Sequence, residues 1–455
     1  MKVIGIDIGT TTVSAVVLEP DGHGGQKLLT SRTIANGSFL KGADWERIQD
    51  AEKLTDKAKA VLDELLAAYP ETEAIGLTGQ MHGIVYTDRE GRAVSPLYTW
   101  EDGRGDQREF DGETAASWIR KNCGIPAATG FGLVTHFYQS RKKQVPESAV
   151  SMGTISDYFA MKLTGRKKPL VHASNAASIG FYDTKQRCFC EDKIRLAEMD
   201  PAILPDTANE MEAVGSYQGI PVTVALGDNQ ASFLGSVGMQ EQVWQLNVGT
   251  GGQLSVLSHE HFETEGIEAR PFLHGAWILT GAILCAGRAY ACLEKFFRSC
   301  AEALGIEECS CYAMMAELAG KAAADADGFR VTTLFQGTRT YPELRGHIEG
   351  ISENNFLPEN LTLGVIQGIA REYYELYQVI HEGTGLEARV INGSGNGLRK
   401  NLFLQKAISD MFKAPLILTD LQEEGASGAA LSAALYLHES AGTVSYTHLT
   451  LPTNS

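Results

Sequence analysis

Apolar and polar positions alternate along the chain in short runs that keep breaking at glycine. The first run, Lys2-Val-Ile-Gly-Ile-Asp-Ile, stops at Gly9-Thr10-Thr11-Thr12, resumes as Val13-Ser-Ala-Val-Val-Leu, turns at Asp21-Gly22 and returns from Lys27 to Ile34. Short β-like runs joined by tight turns predict a three-stranded antiparallel meander. The same pattern returns 240 residues later, as Val243-Trp-Gln-Leu-Asn-Val, Gly249-Thr250-Gly251-Gly252 and Gln253-Leu-Ser-Val-Leu. The chain reads as two copies of one unit.

The segments after the two meanders also match. Between Trp45 and Tyr69, Leu54, Ala58, Val61, Leu62 and Leu65 fall on one helical face, and the pattern stops before Pro70. A strand, Ala74-Ile-Gly-Leu-Thr, then opens into Gly79-Gln80-Met81-His82-Gly83. In the second half a helix carrying Leu363, Ile366, Ala370, Tyr373, Tyr377 and Ile380 ends at Gly383, and Ala388-Arg-Val-Ile-Asn opens into Gly393-Ser394-Gly395-Asn396-Gly397. Each half closes with a strand and a small-residue helix: Val222 to Leu226 before Gly227-Asp228-Asn229, and Leu416 to Thr419 before Gly425-Ala426-Ser427-Gly428. The expectation is an α/β protein of two similar domains facing a cleft, 1–237 and 238–442. From Thr443 onward neither the helical pattern nor a known motif continues, so residues 443–455 are expected to be disordered or foreign to the natural chain.

The length of 455 residues allows two cores, and the formal charge of −17 disfavours nucleic acid and anionic membrane as partners. No run reaches the roughly 18 uncharged apolar residues of a membrane helix, and Asp7 interrupts the only stretch resembling a secretion signal, so a cytoplasmic protein is expected. Eight cysteines, with Cys188/Cys190 and Cys309/Cys311 at the wrong spacing for zinc knuckles, are read as free structural thiols.

Glycine–threonine turns expose backbone N–H groups and hydroxyls without bulk, which suits a phosphate chain. Gly9, Thr10, Thr11 and Thr12 form one such turn, and Gly249, Thr250 and Gly251 the other. Asp7 would repel phosphate, so its useful role beside one is to hold Mg²⁺ through water. There is no Gly-x-x-x-x-Gly-Lys-Ser/Thr loop and no dinucleotide fingerprint after the first strand. The turn carrying Gly393 and Gly395 offers a flat surface for an adenine, with Asn396 or Asn401 as polar contacts.

Taken in order, Gly5-Ile-Asp7-Ile-Gly9-Thr10-Thr11, Gly79 to Gly83, Trp100-Glu101-Asp102-Gly103-Arg104, Gly227-Asp228-Asn229 and Val248-Gly249-Thr250 resemble the FGGY carbohydrate kinases, from Met1 to about Leu437. Within that family, Thr129-Gly-Phe-Gly, Gly153 to Tyr158, Ser174-Asn-Ala-Ala-Ser and Gly393 to Asn401 are most similar to kinases of sedoheptulose, with xylulose kinases as neighbours. The resemblance implies two actin-like, ribonuclease-H-like ATPase domains, with MgATP on the second and the sugar on the first. It implies Asp228 as catalytic base, and phosphorylation of a ketose at its terminal primary hydroxyl, sedoheptulose first and xylulose or another pentulose second. Gln80, Met81, His82 and Asn229 become sugar contacts, and Trp100 an apolar face for sugar C–H groups. Asp102 and Arg104 either touch the sugar or support it as an ion pair. The expected partners are the small ketose and MgATP, with a homodimer left open. An actin-like switch ATPase shares the phosphate turns, but has no reason to carry Gln80 to His82, Trp100 to Arg104 and Asp228 together.

Overall fold

The computed structural model describes residues 1–20, 26–110, 112–306, 310–338, 341–419 and 423–440. The turn expected at Asp21-Gly22, the tail from Thr443 and Cys309 lie outside them. The chain divides into two compact units: Met1–Met239 with Arg270–Ala276 and Leu421–Ser455, and Gln240–Ala269 with Trp277–Asp420.

The first unit begins with β1 (Lys2–Ile8), β2 (Thr12–Pro20) and β3 (Gln26–Ala35), each antiparallel to the next. Val3, Ile4, Ile6 and Ile8 are all fully buried, so β1 is covered on both faces, as a central strand must be. The helix expected from Trp45 begins later, as α1 (Ala51–Ala68). Ile48 and Gln49 are first drawn into a two-residue ladder with Leu97 and Tyr98, and the Asp50 side chain then caps the helix by accepting from Lys53 N at 3.0 Å. After α1 come β4 (Thr72–Gly79), α2 (Ala173–Ile179), β5 (Ala213–Tyr217), β6 (Ile220–Thr223), β7 (Leu226–Gly227) and α3 (Asp228–Val237). The sheet order is β5-β6-β4-β1-β2-β3, with β7 also beside β4; β1, β6 and β7 all run parallel to β4. Residues between 84 and 204 build a satellite core around Phe137, Met152, Phe181 and Tyr86.

The second unit repeats the plan. Its strands are β8 (Val243–Val248), β9 (Gly252–Ser258), β10 (Ile267–Pro271) and β11 (Trp277–Ile283), followed by helices α4 (Gly287–Ala303) and α5 (Pro358–Thr384), β12 (Val390–Ser394), α6 (Leu402–Phe412) and β13 (Leu416–Leu418). The order is β10-β11-β9-β8-β12-β13, with β8-β9-β11 antiparallel and β8-β12-β13 parallel, as β1-β2-β3 and β1-β4-β6 are. α5 passes Gly383 and is stopped by Gly385 at φ 74°. Trp244, Tyr373 and Phe329 anchor this core.

The division into units departs from chain order at Arg270–Ala276 and at the last helix. The last helix, α7 (Glu424–Ser440), packs in the first unit, against β1, β4 and α3, where the expected boundary puts it in the second domain. Its buried face is built of Gly425, Ala426, Gly428, Ala429, Ala430 and Ala433, small enough for backbone to meet backbone. A Cβ on Gly5 would overlap Ala426 O, and one on Gly76 would overlap Ala429 O. Among the described residues no helix is long and apolar enough to cross a membrane, and the seven described cysteines are free thiols.

Candidate functional site

Parallel strands end on one edge of a sheet, and their carboxyl ends are where α/β proteins gather functional groups. In the first unit β4 ends at Gly79 and continues as Gln80-Met81-His82, while its parallel neighbour β7 ends at Gly227 and continues as Asp228-Asn229. The ladder pairs Thr78 with Leu226 and Gly79 with Gly227, and Thr78 Oγ1 donates to Leu226 O at 2.8 Å. Two motifs 148 residues apart in sequence are thereby brought side by side: Asn229 Nδ2 lies 3.6 Å from Met81 Sδ.

Asp228 is the first residue of α3, and Gly227 holds the N-cap position without a side-chain cap bond. The Asp228 carboxylate is therefore not spent as the cap that an Asp in this position often makes. Although the residue is partly exposed as a whole, its Oδ1 is buried and has no hydrogen-bond partner. Burial pushes the carboxyl up to about 6, against the opposing pull of the Asn229 amide, the Arg270 guanidinium and the Met81 amide. Asp7, at the end of β1, is pushed up to about 7, first by burial and then by the carboxylates of Asp228 and Glu423. Its Oδ2 would lie 2.6 Å from a Cβ on Gly425, so glycine in the first turn of α7 is what leaves the carboxylate room. Glu423 carries no motif of its own, and the packing of α7 is what brings it and Gly425 to Asp7.

The Gly9-to-Thr12 turn is held from outside. Asn36 Nδ2 donates to the carbonyls of Gly9 at 2.9 Å and Thr10 at 2.8 Å, and Asn36 N donates to Thr11 O at 2.9 Å. Gln49 Nε2 donates to Thr10 O at 2.7 Å, while Gln49 Oε1 accepts from Gln80 Nε2 at 2.8 Å, linking this turn to the Gln80 motif. Trp100, 48% exposed, donates from Nε1 to Thr10 Oγ1 at 3.0 Å. Gln80 Oε1 is buried without a partner. Nothing in the sequence singles out Asn36 and Gln49; their spacing from the turn carries no pattern, and only their folded contacts reveal them.

His82 sits at φ 68°, a strained conformation for a residue with a Cβ. Its ring stacks on Phe131 at 4.8 Å and 8°. Of the two roles open to Asp102 and Arg104, the geometry is that of the supporting pair. Asp102 is fully buried, binds Arg104 through two contacts of 2.5 and 3.1 Å, and accepts from the amides of Arg47 and Arg104. The guanidinium also lies 4.2 Å from the centre of the Tyr98 ring.

In the second unit, Gly249 O accepts from Gly287 N and Thr250 O from Arg288 N, both at 3.0 Å, so the turn is fixed to the start of α4. Beside it lies a cavity of about 780 Å³, walled by Gly249, Thr250, Tyr290, Tyr312, Asn396 and Asn401 among others. That volume and apolar character fit a purine nucleoside. A Cβ on Gly251, Gly393 or Gly395 would crowd Ile283 O, Leu398 Cδ2 or Val248 O respectively, so packing asks for glycine at all three. Asn401 Oδ1 caps α6 by accepting from Leu404 N at 3.0 Å.

The profile of the N-terminal domain of FGGY carbohydrate kinases matches residues 2–235, and that of the C-terminal domain matches residues 245–437. The chain belongs to the FGGY family of carbohydrate kinases. This FGGY kinase is 27% identical to the sedoheptulokinase of Homo sapiens over 94% of its own length and 96% of the relative's. It is 25% identical to the xylulose kinase of Staphylococcus xylosus over 95% of its length and 90% of the relative's. Its fold matches the crystal structure of xylulose kinase from Rhodospirillum rubrum with a TM-score of 0.81 at 21% identity, covering 99% of this kinase and 92% of that chain. Plasmodium falciparum glycerol kinase with ADP matches with a TM-score of 0.77 at 18% identity, over 96% and 90% of the two chains. The kinase is thus an ATP-dependent phosphotransferase acting on a carbohydrate.

Proposed function

We propose that this kinase transfers the γ-phosphoryl group of ATP to the terminal primary hydroxyl of a ketose, sedoheptulose before xylulose. One observation carries the reading: the buried, unbonded Asp228 Oδ1, set between Met81 and Asn229 at the carboxyl end of two parallel strands. A carboxylate raised to about 6 is still ionised at neutral pH, yet basic enough to take a hydroxyl proton as that oxygen attacks phosphorus. Gln80 and His82 supply hydrogen bonds for vicinal hydroxyls, and the exposed Trp100 supplies a flat apolar face. Asp102 and Arg104 hold the loop that presents Trp100.

The turn from Gly249 to Gly251 offers its N–H groups to the nucleotide's phosphates, and the cavity beside it takes the base. The Gly9-to-Thr12 turn of the first unit has the same phosphate-binding chemistry. Among the described residues no cluster of three or more His, Cys, Asp or Glu could hold a metal ion. Asp7 alone fits a water-mediated Mg²⁺, because a carboxylate crowded by Asp228 and Glu423 gains most from a nearby cation. The ion would supply charge neutralisation on the phosphates. The choice of sedoheptulose is supported by the 27% and 28% identity to the human and mouse sedoheptulokinases over 94% of the chain. A sugar panel in a coupled ADP-release assay tests it. The highest kcat/KM is expected with sedoheptulose; preference for a pentulose overturns the heptulose reading, and ADP release that no sugar stimulates overturns the kinase site itself.

A further inference from the structure

The segment Ser174-Asn-Ala-Ala-Ser178 resembles the family but supplies no group to the proton transfer or the sugar contacts. It forms α2, which lies against β7. Three of its side chains are buried and polar, and each holds the backbone of the site or of α2 itself. Ser174 Oγ accepts from Gly227 N at 2.9 Å, one residue before the proposed base. Asn175 Nδ2 donates to Ala225 O at 3.1 Å, at the entry to the same junction. Ser178 Oγ accepts from His82 N at 3.1 Å and donates to Asn175 O at 2.7 Å. The Ser178 carbonyl faces His82 Nδ1 at 2.8 Å.

The directions of these bonds follow from chemistry. A carbonyl oxygen can only accept, so His82 Nδ1 carries a proton and donates it to Ser178 O. Ser174 N donates to His172 Nδ1 at 3.2 Å, so that nitrogen is unprotonated and can also take the Ser174 hydroxyl proton at 2.9 Å. His172 is fully buried and neutral, with burial pulling it down to about 3. The Ser174 hydroxyl is therefore committed both ways, donating to His172 and accepting from Gly227. Residues 174, 175 and 178 tie to one short helix the two backbone segments that run on from the end of the β4–β7 ladder. One of those segments contains the strained φ of His82, a conformation that persists only where neighbours over-determine it.

We propose that α2 is a positioning cassette for the transfer, with Ser174 and Asn175 setting the junction that aims Asp228 and Ser178 holding His82 in its strained conformation with the proton on Nδ1. It deepens the proposed sugar site and rests on it. Ser174, Asn175 and Ser178 touch neither substrate; they act through Asp228 and His82. The cassette gives this kinase a fixed distance between the group that takes the proton and the group that orients the hydroxyls. A loosened base costs turnover, and a loosened imidazole costs sugar affinity, so the two ends of one helix act on different kinetic constants.

The test uses the full chain and whichever ketose the panel shows to be turned over best. Ser174→Ala should lower kcat about 30-fold with the KM for ATP unchanged, and Ser174→Thr should restore most of it. Ser178→Ala should instead raise the ketose KM about tenfold. Adding Ser174→Ala to Asp228→Asn should cost less than a further twofold, since the serine acts through the base. A kcat per folded enzyme within twofold of wild type for Ser174→Ala, or an equal loss in the Asp228→Asn background, overturns the proposal. A second readout needs no turnover: ¹⁵N spectra of histidine-labelled protein should show His82 protonated at Nδ1. An unprotonated Nδ1 overturns the cassette even where every ketose fails as substrate, and the two failures are thereby told apart.

Discussion

Residue 7 in the first unit and residue 247 in the second hold the same place in the same hairpin, two positions before a glycine–threonine turn, yet one is aspartate and the other asparagine. Asp7 is crowded by Asp228 and Glu423 and pushed up to about 7. Asn247 donates from Nδ2 to Ser394 Oγ at 2.8 Å, and its carbonyl accepts from Tyr373 at 2.7 Å. The first copy keeps a carboxylate that strains its surroundings; the second ties its amide into the neighbouring strand. A shared fold thus carries two electrostatic characters, a crowded carboxylate in the first hairpin and a neutral, hydrogen-bonded amide in the second.

The sharpest way to break this contrast is to remove the charge that the first unit keeps at α3. Asp228→Asn should lower kcat by about 10²–10⁴, the range for a lost general base. Nucleotide affinity should stay within twofold, and the melting temperature should hold or rise, because the burial penalty on the charged carboxylate, which outweighs its partners, has gone. Retained turnover in steady-state assays sinks the base assignment. A fall of several degrees in melting would instead show that the carboxylate supports the fold.

The next largest effect concerns α7, whose small-residue face is what brings Gly425 beside Asp7. Gly76→Ala places a Cβ against Ala429 O and should destabilise the protein by about 3 kcal/mol, read from a urea midpoint at constant slope. An unchanged midpoint would mean that α7 does not dock this way in solution.

These cases also show what a sequence can disclose. The repeated meander is legible because strand periodicity and glycine turns are local, and the matching strand orders follow from it. Gln80, Trp100 and Asp228 are legible because they stand in motifs. Asn36, Gln49 and Glu423 are not, because each reaches its partner through a long loop closure with no fixed spacing. The placement of α7 is hidden for a different reason. An alanine and glycine face fits any flat backbone surface, and glycines on the partner elements, Gly5, Gly76 and Gly235, select which one. At Gly393 and Gly395, glycine required by packing looks the same in sequence as glycine required by a ligand.

Asp7→Asn makes the first hairpin match the second and is expected to act through pH. The folded carboxyl at about 7 lies above its ordinary 3.8, so it keeps a proton that the unfolded chain has already released. Its contribution is fully present below about pH 4 and is lost as pH rises toward 7. Without Mg²⁺, the variant should be clearly more stable than wild type at pH 8 and much less so at pH 5. It should also need a higher Mg²⁺ concentration for turnover. Equal denaturation midpoints at both pH values would remove the crowding of Asp7 as a physical fact.

The smallest effect comes from the converse change, Asn247→Asp, which gives the second hairpin the charge of the first. Asn247 is exposed, and its backbone carbonyl bond to Tyr373 survives the change. The lost amide donor is replaced by a carboxylate that can accept from the Ser394 hydroxyl, so folding should be nearly indifferent, with melting within a degree or two. A unit charge beside Gly249 and Thr250 would nevertheless face any phosphate held there, at a cost of about 1 kcal/mol through a largely aqueous path. The KM for ATP should therefore rise severalfold and the penalty should shrink in high salt, while the ketose KM stays fixed. Should the ATP constant not move, the second turn is not a phosphate seat, and the asparagine is there for its bond to Ser394 alone.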